Sequence, residues 1–458
     1  MKFPFISKNK TLSEYQKHRK TKLNSSFCFA PFNTLEFHIS GQVRVCCANR
    51  YKIVGNYPNQ SIQEIWENIS IIEFRKRLIN NDLSDGCHGC DKMLKLKNYA
   101  NLTSLDYDIF QTNRKAVLKN IKFELSNECN LECEMCWGEL SSSIRKNIEK
   151  LPKINNIYNE NFIQQLKPFW KNIEKATFLG GEPFLIKTYY TLWEEINKYN
   201  SKIKILIVTN GTIINENIKQ IISKGNFYFA VSIDSFQKET YEKIRKNAIF
   251  EKTMLNFEYL YQYSKGKKHW ITINVCPMQQ NWKEIPAMIN EMNKRDINVF
   301  FNPVDFPSSH SLRGLPSQKI IEIYNYFKSA TIVPYINDAS IQNSKMFLGL
   351  ILQTKLMFEE IKQYEDSEIH KIKTKLEAEN FLLQFFKNNI ATFHCSKTTI
   401  DENIIKIKEA FSILKNESSV KGVKSILRLP NYLLISEIIY TTSKKLAVRL
   451  QQSFKNEN

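Results

Sequence analysis

Three cysteines lie within eight residues of one another, at Cys129, Cys133 and Cys136. Three thiolates at this spacing can converge on one soft metal centre. They leave a tetrahedral zinc site one protein ligand short. A four-iron cluster, by contrast, can be held through three of its irons, and the fourth iron then stays open to bind and activate a ligand.

A second group of cysteines precedes the first. Four of its thiolates suit a closed metal site, for which the ligands alone allow either zinc or an iron–sulfur cluster. The predicted ligands are Cys28, Cys46, Cys87 and Cys90. Cys47 is the alternative to Cys46, and Cys46 is preferred because it fits the spacing that follows Gly41. A reducing compartment argues against disulfides, so these cysteines indicate metal binding or catalysis.

Short apolar runs alternate with amphipathic helical stretches from residue 121 onward, and they form the framework around the clustered cysteines. Six runs are predicted as strands, over 121–126, 175–179, 203–209, 227–233, 270–275 and 297–301. Repeated β–α units favour parallel strands with right-handed crossovers. The predicted fold class is therefore α/β, a partial (β/α)6 TIM-like barrel whose chemistry lies at the C-terminal ends of its strands.

Three regions are predicted along the 458 residues. Residues 1–115 form a small α+β module with a β-hairpin and a helix over 61–81 that begins with a capping box. Residues 116–330 form the barrel. Residues 331–458 are predicted to be mostly helical, because apolar residues recur there at three- and four-residue spacing. His394 and Cys395, in this last region, are expected to be structural.

The segment from Cys129 to Cys136 resembles the CxxxCxxC signature of radical S-adenosylmethionine (SAM) enzymes. Other motifs match that family in order and position, each at the end of a predicted strand. They are Gly180-Gly181-Glu182-Pro183, Thr209-Asn210-Gly211 and Ser232-Ile233-Asp234-Ser235. The resemblance covers residues 120–310 and implies that the three cysteines hold a [4Fe–4S] cluster with SAM beside it.

The resemblance also implies which residues contact SAM. The cofactor-binding residues are Gly180, Gly181, Glu182, Pro183, Asn210, Ser232, Asp234, Arg245 and Met135. The glycine-rich strand end is expected to meet the methionine amine, and Ser232 and Asp234 the ribose hydroxyls. Arg245 offers a bidentate fork for the methionine carboxylate. Met135 stands where the family often has an aromatic residue, and it is expected to cover the adenine.

The N-terminal cysteines resemble the first half of the SPASM and twitch auxiliary domains that accompany radical SAM enzymes. Here the module precedes the barrel instead of following it, and the later cysteines of a full SPASM pattern are missing. The resemblance therefore implies one auxiliary [4Fe–4S] cluster, held by the four cysteines named above.

A loop after the sixth predicted strand, residues 302–315, carries Asp305, His310 and Arg313. Strand ends on one face of a barrel are where reactants meet. We therefore expect this loop on the same side as the cluster, beside the auxiliary module. Asp305 and Arg313 are the candidate catalytic residues, which would hold or deprotonate the substrate.

The formal net charge of +19 would suit a polyanionic partner. The lysines are scattered in a sequence rich in Lys, Asn and Ile, so we attribute the charge to composition and predict no nucleic-acid partner. No apolar run is long enough to span a membrane, and no secretory signal is recognised. A cytoplasmic protein is expected.

The sequence thus predicts a radical SAM enzyme that reductively cleaves SAM to a 5′-deoxyadenosyl radical, which abstracts a hydrogen atom from a peptide or protein. The alternative substrate is a small molecule such as a sugar or an aminoglycoside, which would be oxidised or rearranged. A distant alternative is a zinc-stabilised nucleic-acid-binding protein. The resemblance implies an electron donor such as flavodoxin or ferredoxin.

Overall fold

The computed structural model describes residues 10–19, 21, 26–110, 115–393 and 396–452, so His394 and Cys395 lie outside the described residues. Nine strands form one open sheet in the order β3-β2-β1-β4-β5-β6-β7-β8-β9. The strands are β1 (Thr34–His38), β2 (Gln42–Arg44), β3 (Gly55–Asn56), β4 (Asn120–Glu124), β5 (Lys175–Phe178), β6 (Lys204–Thr209), β7 (Phe227–Ser232), β8 (Ile271–Val275) and β9 (Asn298–Phe301).

Helices surround the sheet and make up most of the C-terminal region. In the N-terminal half the α-helices are Lys10–His18, Ala30–Asn33, Ile62–Glu67, Ile69–Ile79, His88–Lys95, Ser142–Asn147, Glu160–Leu166, Lys187–Tyr199 and Glu216–Lys224. In the C-terminal half they are Lys238–Ile244, Phe250–Lys267, Ile285–Lys294, Ser317–Ser329, Asp338–Glu365, Lys375–Asn389, Lys397–Ile413, Asn416–Ile426, Asn431–Tyr440 and Ser443–Gln452. Short 3-10 helices are Tyr99–Asn101, Thr103–Tyr107, Lys167–Phe169, Pro183–Leu185, Trp282–Glu284, Leu312–Gly314, Glu368–Lys371 and Ile390–Phe393.

The predicted barrel is confirmed, because all six predicted strands are present as β4 to β9 and each pairs in parallel with the next. Side chains alternate between the two faces of each strand. Phe123 and Phe178 point outward, where they contact Phe162 and Trp193 beneath the helices. The alternate side chains of the same strands face the interior of the barrel, and we call this the inner face.

The N-terminal hairpin extends the barrel sheet, which the sequence did not predict. β1 pairs in parallel with β4 over five residues, from Thr34 opposite Asn120 to His38 opposite Glu124. β2 then runs antiparallel to β1. The loop of Cys129 therefore leaves the C-terminal edge of the strands, whereas Cys46 follows β2 toward the opposite edge.

The predicted helix over 61–81 is interrupted. Its capping box is confirmed, since Ser61 accepts from the backbone of Glu64 and the Glu64 carboxylate accepts from that of Ser61. The helix ends at Glu67, and a second helix begins at Ile69. Asn68 is extended and its side chain accepts a hydrogen bond of 2.9 Å from the backbone of Ser70, so it caps the second helix.

The predicted helical C-terminal region is confirmed by the six helices that follow residue 337. Residues from Ile369 to Leu450 form a hydrophobic core of their own. A larger core runs from Tyr15 to Ile361 through both the N-terminal region and the barrel. The division of the chain at residues 115 and 330 stays a prediction. No helix in the described parts of the chain is long and apolar enough to cross a membrane.

A buried ion pair ties the first helix to the rest of the N-terminal region. Arg19 donates to Asp108 across 2.6 Å, and neither side chain is exposed to solvent. Arg19 also donates to the carbonyl of Ser26. A buried pair of this kind tolerates the loss of one partner poorly, because an uncompensated charge remains in the interior.

We predict that Asp108→Ala lowers the free energy of unfolding by about 3–5 kcal/mol, because it leaves the Arg19 charge buried without its carboxylate. The matched control is Glu174→Ala, which removes the partner of an exposed pair with Lys119 and should cost about 0–1 kcal/mol. The midpoint of urea denaturation measures both effects. Equal midpoints for the two variants would contradict the prediction.

Candidate functional site

The loop of Cys129, Cys133 and Cys136 follows β4 at the C-terminal edge of the sheet. Its backbone is hydrogen-bonded to the segment after β7. The amide of Glu132 donates to the carbonyl of Lys246 across 3.1 Å, and the amide of Glu134 donates to the carbonyl of Ile244 across 2.9 Å. Ser142 Oγ accepts from the amide of Cys129 across 3.1 Å. The three thiols are half-buried in this loop.

The three thiols lie near one another in a poorly solvated environment. Burial raises the pKa of Cys129 to about 11. Burial also raises the pKa of Cys136, and the neighbouring Cys133 and Cys129 raise it further. Without a cation these thiols stay protonated at neutral pH. The positive charge of a bound metal deprotonates coordinating thiols outright, so this donor set fits an iron–sulfur cluster.

The two glycines of the Gly180-Gly181-Glu182-Pro183 segment approach the chain that leads into the cysteine loop. Gly180 has φ +113°, and a Cβ there would lie 2.4 Å from the carbonyl oxygen of Ser126. A Cβ on Gly181 would lie 2.2 Å from the carbonyl oxygen of Glu128. These positions require glycine because the two loops touch through their backbones. The predicted contact of this segment with SAM stays a prediction.

Glu182 is fully buried and joins the ends of β5 and β6. Its carboxylate accepts from the backbone of Asn210 (2.7 Å), the hydroxyl of Thr209 (2.8 Å) and the backbone of Phe184 (3.2 Å). Burial raises the pKa of Glu182 to about 7 despite these donors. Asn210, positioned in this way, directs its amide nitrogen at Cys129 Sγ, 3.9 Å away.

Asp234 and Arg245 form a buried ion pair of 2.7 Å. The other oxygen of Asp234 accepts from the backbone of Cys276 across 2.7 Å, and the Arg245 Nη1 atom lies 3.9 Å from Cys133 Sγ. Asp234 is thus already engaged by Arg245, and Arg245 faces the cysteine loop. The predicted contacts of Asp234 with ribose and of Arg245 with a carboxylate stay predictions.

The remaining predicted cofactor-binding residues lie at the same edge of the barrel. Ser232 ends β7 on the inner face and is half-buried. Pro183 is buried at the start of a 3-10 helix. Met135 packs in a small apolar cluster with Cys276, Ile244, Met278 and Val304. Cys276, directly after β8, was not among the predicted site residues, and the structure places it in this apolar cluster.

The second cysteine set lines one cavity. Cys28, Cys46, Cys87 and Cys90 all contribute to its wall, together with apolar side chains such as Phe27, Phe74 and Leu78. Backbone and amide N–H groups point at the sulfurs: Ala30 N lies 3.4 Å from Cys28 Sγ, and Asn49 Nδ2 lies 3.6 Å from Cys87 Sγ. Hydrogen bonds to ligand sulfurs are typical of iron–sulfur sites.

The cavity also bears on the choice between zinc and a cluster. Among the described residues, no three His, Cys, Asp or Glu side chains converge closely enough to hold a single metal ion. The four thiols instead stand around a space, and burial raises the pKa of Cys90 to about 12. Four thiols around one cavity are compatible with a polynuclear cluster as well as with zinc.

Cys46 and Cys47 differ in surroundings. Cys46 is buried in the cavity wall, whereas Cys47 is an exposed residue outside it. The Cys47 sulfur lies 3.6 Å from the ammonium of Lys122, on the inner face of β4. Hydrogen bonding with Cys46 and the charge of Lys122 lower the pKa of Cys47. Cys46 as the fourth ligand stays our assignment.

The loop of residues 302–315 contacts both the cysteine loop and the C-terminal helices. His310 lies 3.2 Å from the carboxylate of Glu134, and Gln280 bridges the same two residues. Arg313 is buried and pairs with Asp305 (3.1 Å) and Glu360 (2.7 Å). These contacts of Asp305 and Arg313 hold the loop in place; their predicted contact with substrate stays a prediction.

Glu182 makes the stability of the chain depend on pH. Its pKa is about 7 when folded and 4.5 for an ordinary glutamate, so folding favours the protonated form and this contribution is lost as pH rises between those values. We predict that the free energy of unfolding of the wild type falls by on the order of 3 kcal/mol relative to that of Glu182→Gln as the pH rises through this range. Urea denaturation of the apoprotein at several pH values measures the difference, and a difference independent of pH would refute it.

Comparison with known proteins gives two family matches. Residues 123–292 match the Radical SAM superfamily, and residues 28–91 match SPASM, an iron–sulfur cluster-binding domain. These spans contain both cysteine sets described above.

Curated relatives match at low identity. GTP 3′,8-cyclase of Staphylococcus epidermidis is 24% identical over 224 residues, which are 47% of this chain and 62% of the relative. GTP 3′,8-cyclase of Aliarcobacter butzleri is 24% identical over 313 residues, 67% of this chain and 90% of the relative. The chain thus spans less than two thirds of the length of the first of these relatives.

Solved structures show only a distant likeness. Native anSMEcpe with bound AdoMet aligns with a TM-score of 0.35 and 20% identity, over 46% of this chain and 59% of that one. SuiB of Streptococcus suis bound to S-adenosylmethionine aligns with a TM-score of 0.35 and 15% identity, over 58% and 60%. The family matches identify two domains of the chain: residues 123–292 form a radical SAM domain, and residues 28–91 form a SPASM iron–sulfur cluster-binding domain ahead of it.

Proposed function

We propose that the chain is an enzyme that uses SAM to abstract a hydrogen atom from its substrate. The observation that carries this proposal is the set of three half-buried thiols at the C-terminal edge of the barrel, Cys129, Cys133 and Cys136, beside the buried Asp234–Arg245 pair. These cysteines would hold a four-iron cluster, which would supply the electron for the cleavage of SAM to methionine and a 5′-deoxyadenosyl radical.

The surrounding residues position SAM and exclude water from it. Glu182 fixes the end of β6, so that Asn210 stays beside Cys129. Asp234 holds Arg245 against the cysteine loop, where its guanidinium is directed at Cys133. Met135 and its apolar neighbours close one side of the site. Preorganised groups of this kind orient a cofactor, and the cofactor carries the chemistry.

The auxiliary cysteines stand at the other edge of the same sheet. In our proposal Cys28, Cys46, Cys87 and Cys90 would hold a second four-iron cluster, which would supply an electron acceptor or a binding position for the substrate. The inner face of the barrel lies between the two cysteine sets, and it is where the substrate would bind.

Two substrate classes are proposed. A peptide or protein is the class that the sequence predicts from the auxiliary module. A small molecule is the second candidate, which the charged inner face of β1, β2 and β4 favours. The name of the curated relatives, GTP 3′,8-cyclase, points to a small anionic substrate for those proteins. An electron donor such as flavodoxin or ferredoxin and a cytoplasmic location complete the proposal.

We predict that replacing Cys129, Cys133 and Cys136 together with Ala abolishes reductive SAM cleavage. Because the auxiliary thiols stay in place, the variant should retain about four of the about eight irons of the wild type, taken as two four-iron clusters. Iron analysis and 5′-deoxyadenosine production under anaerobic conditions measure both. Cys276→Ala, which removes a neighbouring thiol outside the proposed ligand set, is the control and should keep all the iron. Undiminished SAM cleavage by the triple variant would disprove the assignment.

We predict different outcomes for the two adjacent cysteines of the N-terminal module. Cys46→Ala removes a thiol from the cavity wall. The variant should lose the auxiliary cluster and with it about half of the iron. Cys47→Ala leaves the four cavity thiols intact and should retain it. Iron content and the electron paramagnetic resonance of the reduced proteins distinguish the two. The reverse pattern would make Cys47 the ligand, and zinc in place of iron would make this a structural zinc site.

A further inference from the structure

A band of charged side chains crosses the inner face of the barrel. The register of the sheet places Arg44 of β2 opposite Glu36 of β1, Glu36 opposite Lys122 of β4, and Lys122 opposite Thr177 of β5. We call these four residues the inner wall. Neither the family motifs nor the cysteine sets include any of them.

The opposite side of the interior is apolar. Thr177 stands opposite Leu206 of β6, and Leu206 opposite Tyr228 of β7. Leu206 and Tyr228 pack together with Ala230 and Val208. The inner wall is therefore charged, whereas β6 and β7 contribute an apolar patch to the interior.

The charges of the inner wall are held loosely. Arg44 Nη2 lies 3.4 Å from Glu36 and 3.6 Å from Glu124, and Lys122 Nζ lies 4.0 Å from Glu36. Hydrogen bonds between such groups are normally about 2.7–3.2 Å long. The Arg19–Asp108 pair of the same region reaches 2.6 Å. The charged groups of the inner wall therefore lie farther apart than those of the Arg19–Asp108 pair.

Three buried polar atoms of the inner wall make no hydrogen bond with the described residues. Glu36 Oε2, Arg44 Nε and Thr177 Oγ1 have no hydrogen-bond partner among the described residues. The side chain of Glu36 is only 6% exposed, and Thr177 is 5% exposed. Buried polar atoms without partners are costly, and each one in a native protein calls for an explanation. A polar ligand that fills the interior would satisfy an acceptor and two donors at once.

The net charge of this region favours an anion. Arg44 and Lys122 lie near Glu36 and Glu124, and Asp106 is a third carboxylate near Lys122 and Lys175. Burial, with the nearby carboxylate of Glu36, raises the pKa of Glu124 to about 7, so its negative charge is incomplete at neutral pH. Burial and the charge of Lys122 lower the pKa of Lys175 to about 8. The three cations therefore face three carboxylates, of which Glu124 carries an incomplete negative charge.

We propose that the inner wall is a substrate-binding site that takes an anionic group, a carboxylate or a phosphate. Lys122, Arg44 and Thr177 donate to this group, and Glu36 accepts from a hydroxyl or N–H of the same substrate. That the ligand of this site is the substrate rests on the proposed function. Lys122 also contacts Cys47 and the hydroxyl of Tyr107, at 3.6 and 3.3 Å, so the anionic group lies toward the auxiliary cysteines. The reacting carbon then lies toward the cysteine loop.

The test measures the binding of two probes to the full chain with both clusters reconstituted under anaerobic conditions. Inorganic pyrophosphate represents a phosphate-bearing substrate, and glutarate represents a carboxylate. Isothermal titration calorimetry needs neither reductant nor SAM cleavage. We expect one saturable site for one of the two probes, and the probe that binds identifies the source of the anionic group.

Three variants separate the inner wall from the general positive charge of the protein. Lys122→Met should raise the dissociation constant about tenfold or more, because a charge-assisted contact is lost. Thr177→Val removes an unpartnered hydroxyl without changing the shape of the side chain, and it should weaken binding several-fold while the fold stays intact. Lys224→Met removes an exposed lysine outside the barrel and should bind as wild type does.

The outcomes are distinct. Absence of saturable binding, or equal binding by wild type and Thr177→Val, would overturn the proposal, and Thr177→Val decides the matter even if Lys122→Met fails to fold. Reductive SAM cleavage by the wild type is measured separately. Its absence would refute the proposed function, whereas loss of probe binding alone would refute only the anion site.

Discussion

Five residues of β1 pair in parallel with five residues of β4, and this ladder joins the N-terminal region to the barrel. It sets the position of both cysteine sets. The chain leaves β4 at the C-terminal edge and enters the loop of Cys129, whereas β2 returns the chain toward the opposite edge and Cys46. The two sets therefore lie at opposite edges of one sheet, although the auxiliary module precedes the barrel in the sequence.

Buried charge is used in two ways in this chain. Arg19 with Asp108, and Arg245 with Asp234, are close pairs that fix one segment against another. Such pairs contribute little net stability, but they specify one arrangement because breaking them leaves an unpaired charge. At the inner face of β1, β2, β4 and β5 the charges are spread over longer distances, and Glu36, Arg44 and Thr177 each have a polar atom without a hydrogen-bond partner among the described residues.

Local pattern predicted much of the fold. All six barrel strands, the hairpin and the capping box of Ser61 were recognisable, because alternation and capping are properties of neighbouring residues. The pairing of β1 with β4 was not, since the two strands are about eighty residues apart and alternation does not name a partner strand. The positions of the cysteines predicted the two sites. The closeness of Gly181 to Glu128 and the engagement of Asp234 by Arg245 depend on tertiary contacts that no motif encodes.

The C-terminal helices supply cover for the helix that carries Cys90. Phe393 packs on His88 with ring centroids 3.8 Å apart, and the ring of Tyr432 lies 5.0 Å from the ammonium of Lys92. Tyr440 stacks on Tyr51. Synthesis proceeds from the N-terminus, and early regions fold first. The auxiliary cysteines thus emerge from the ribosome some three hundred residues before the C-terminal segments that pack on the helix carrying Cys90.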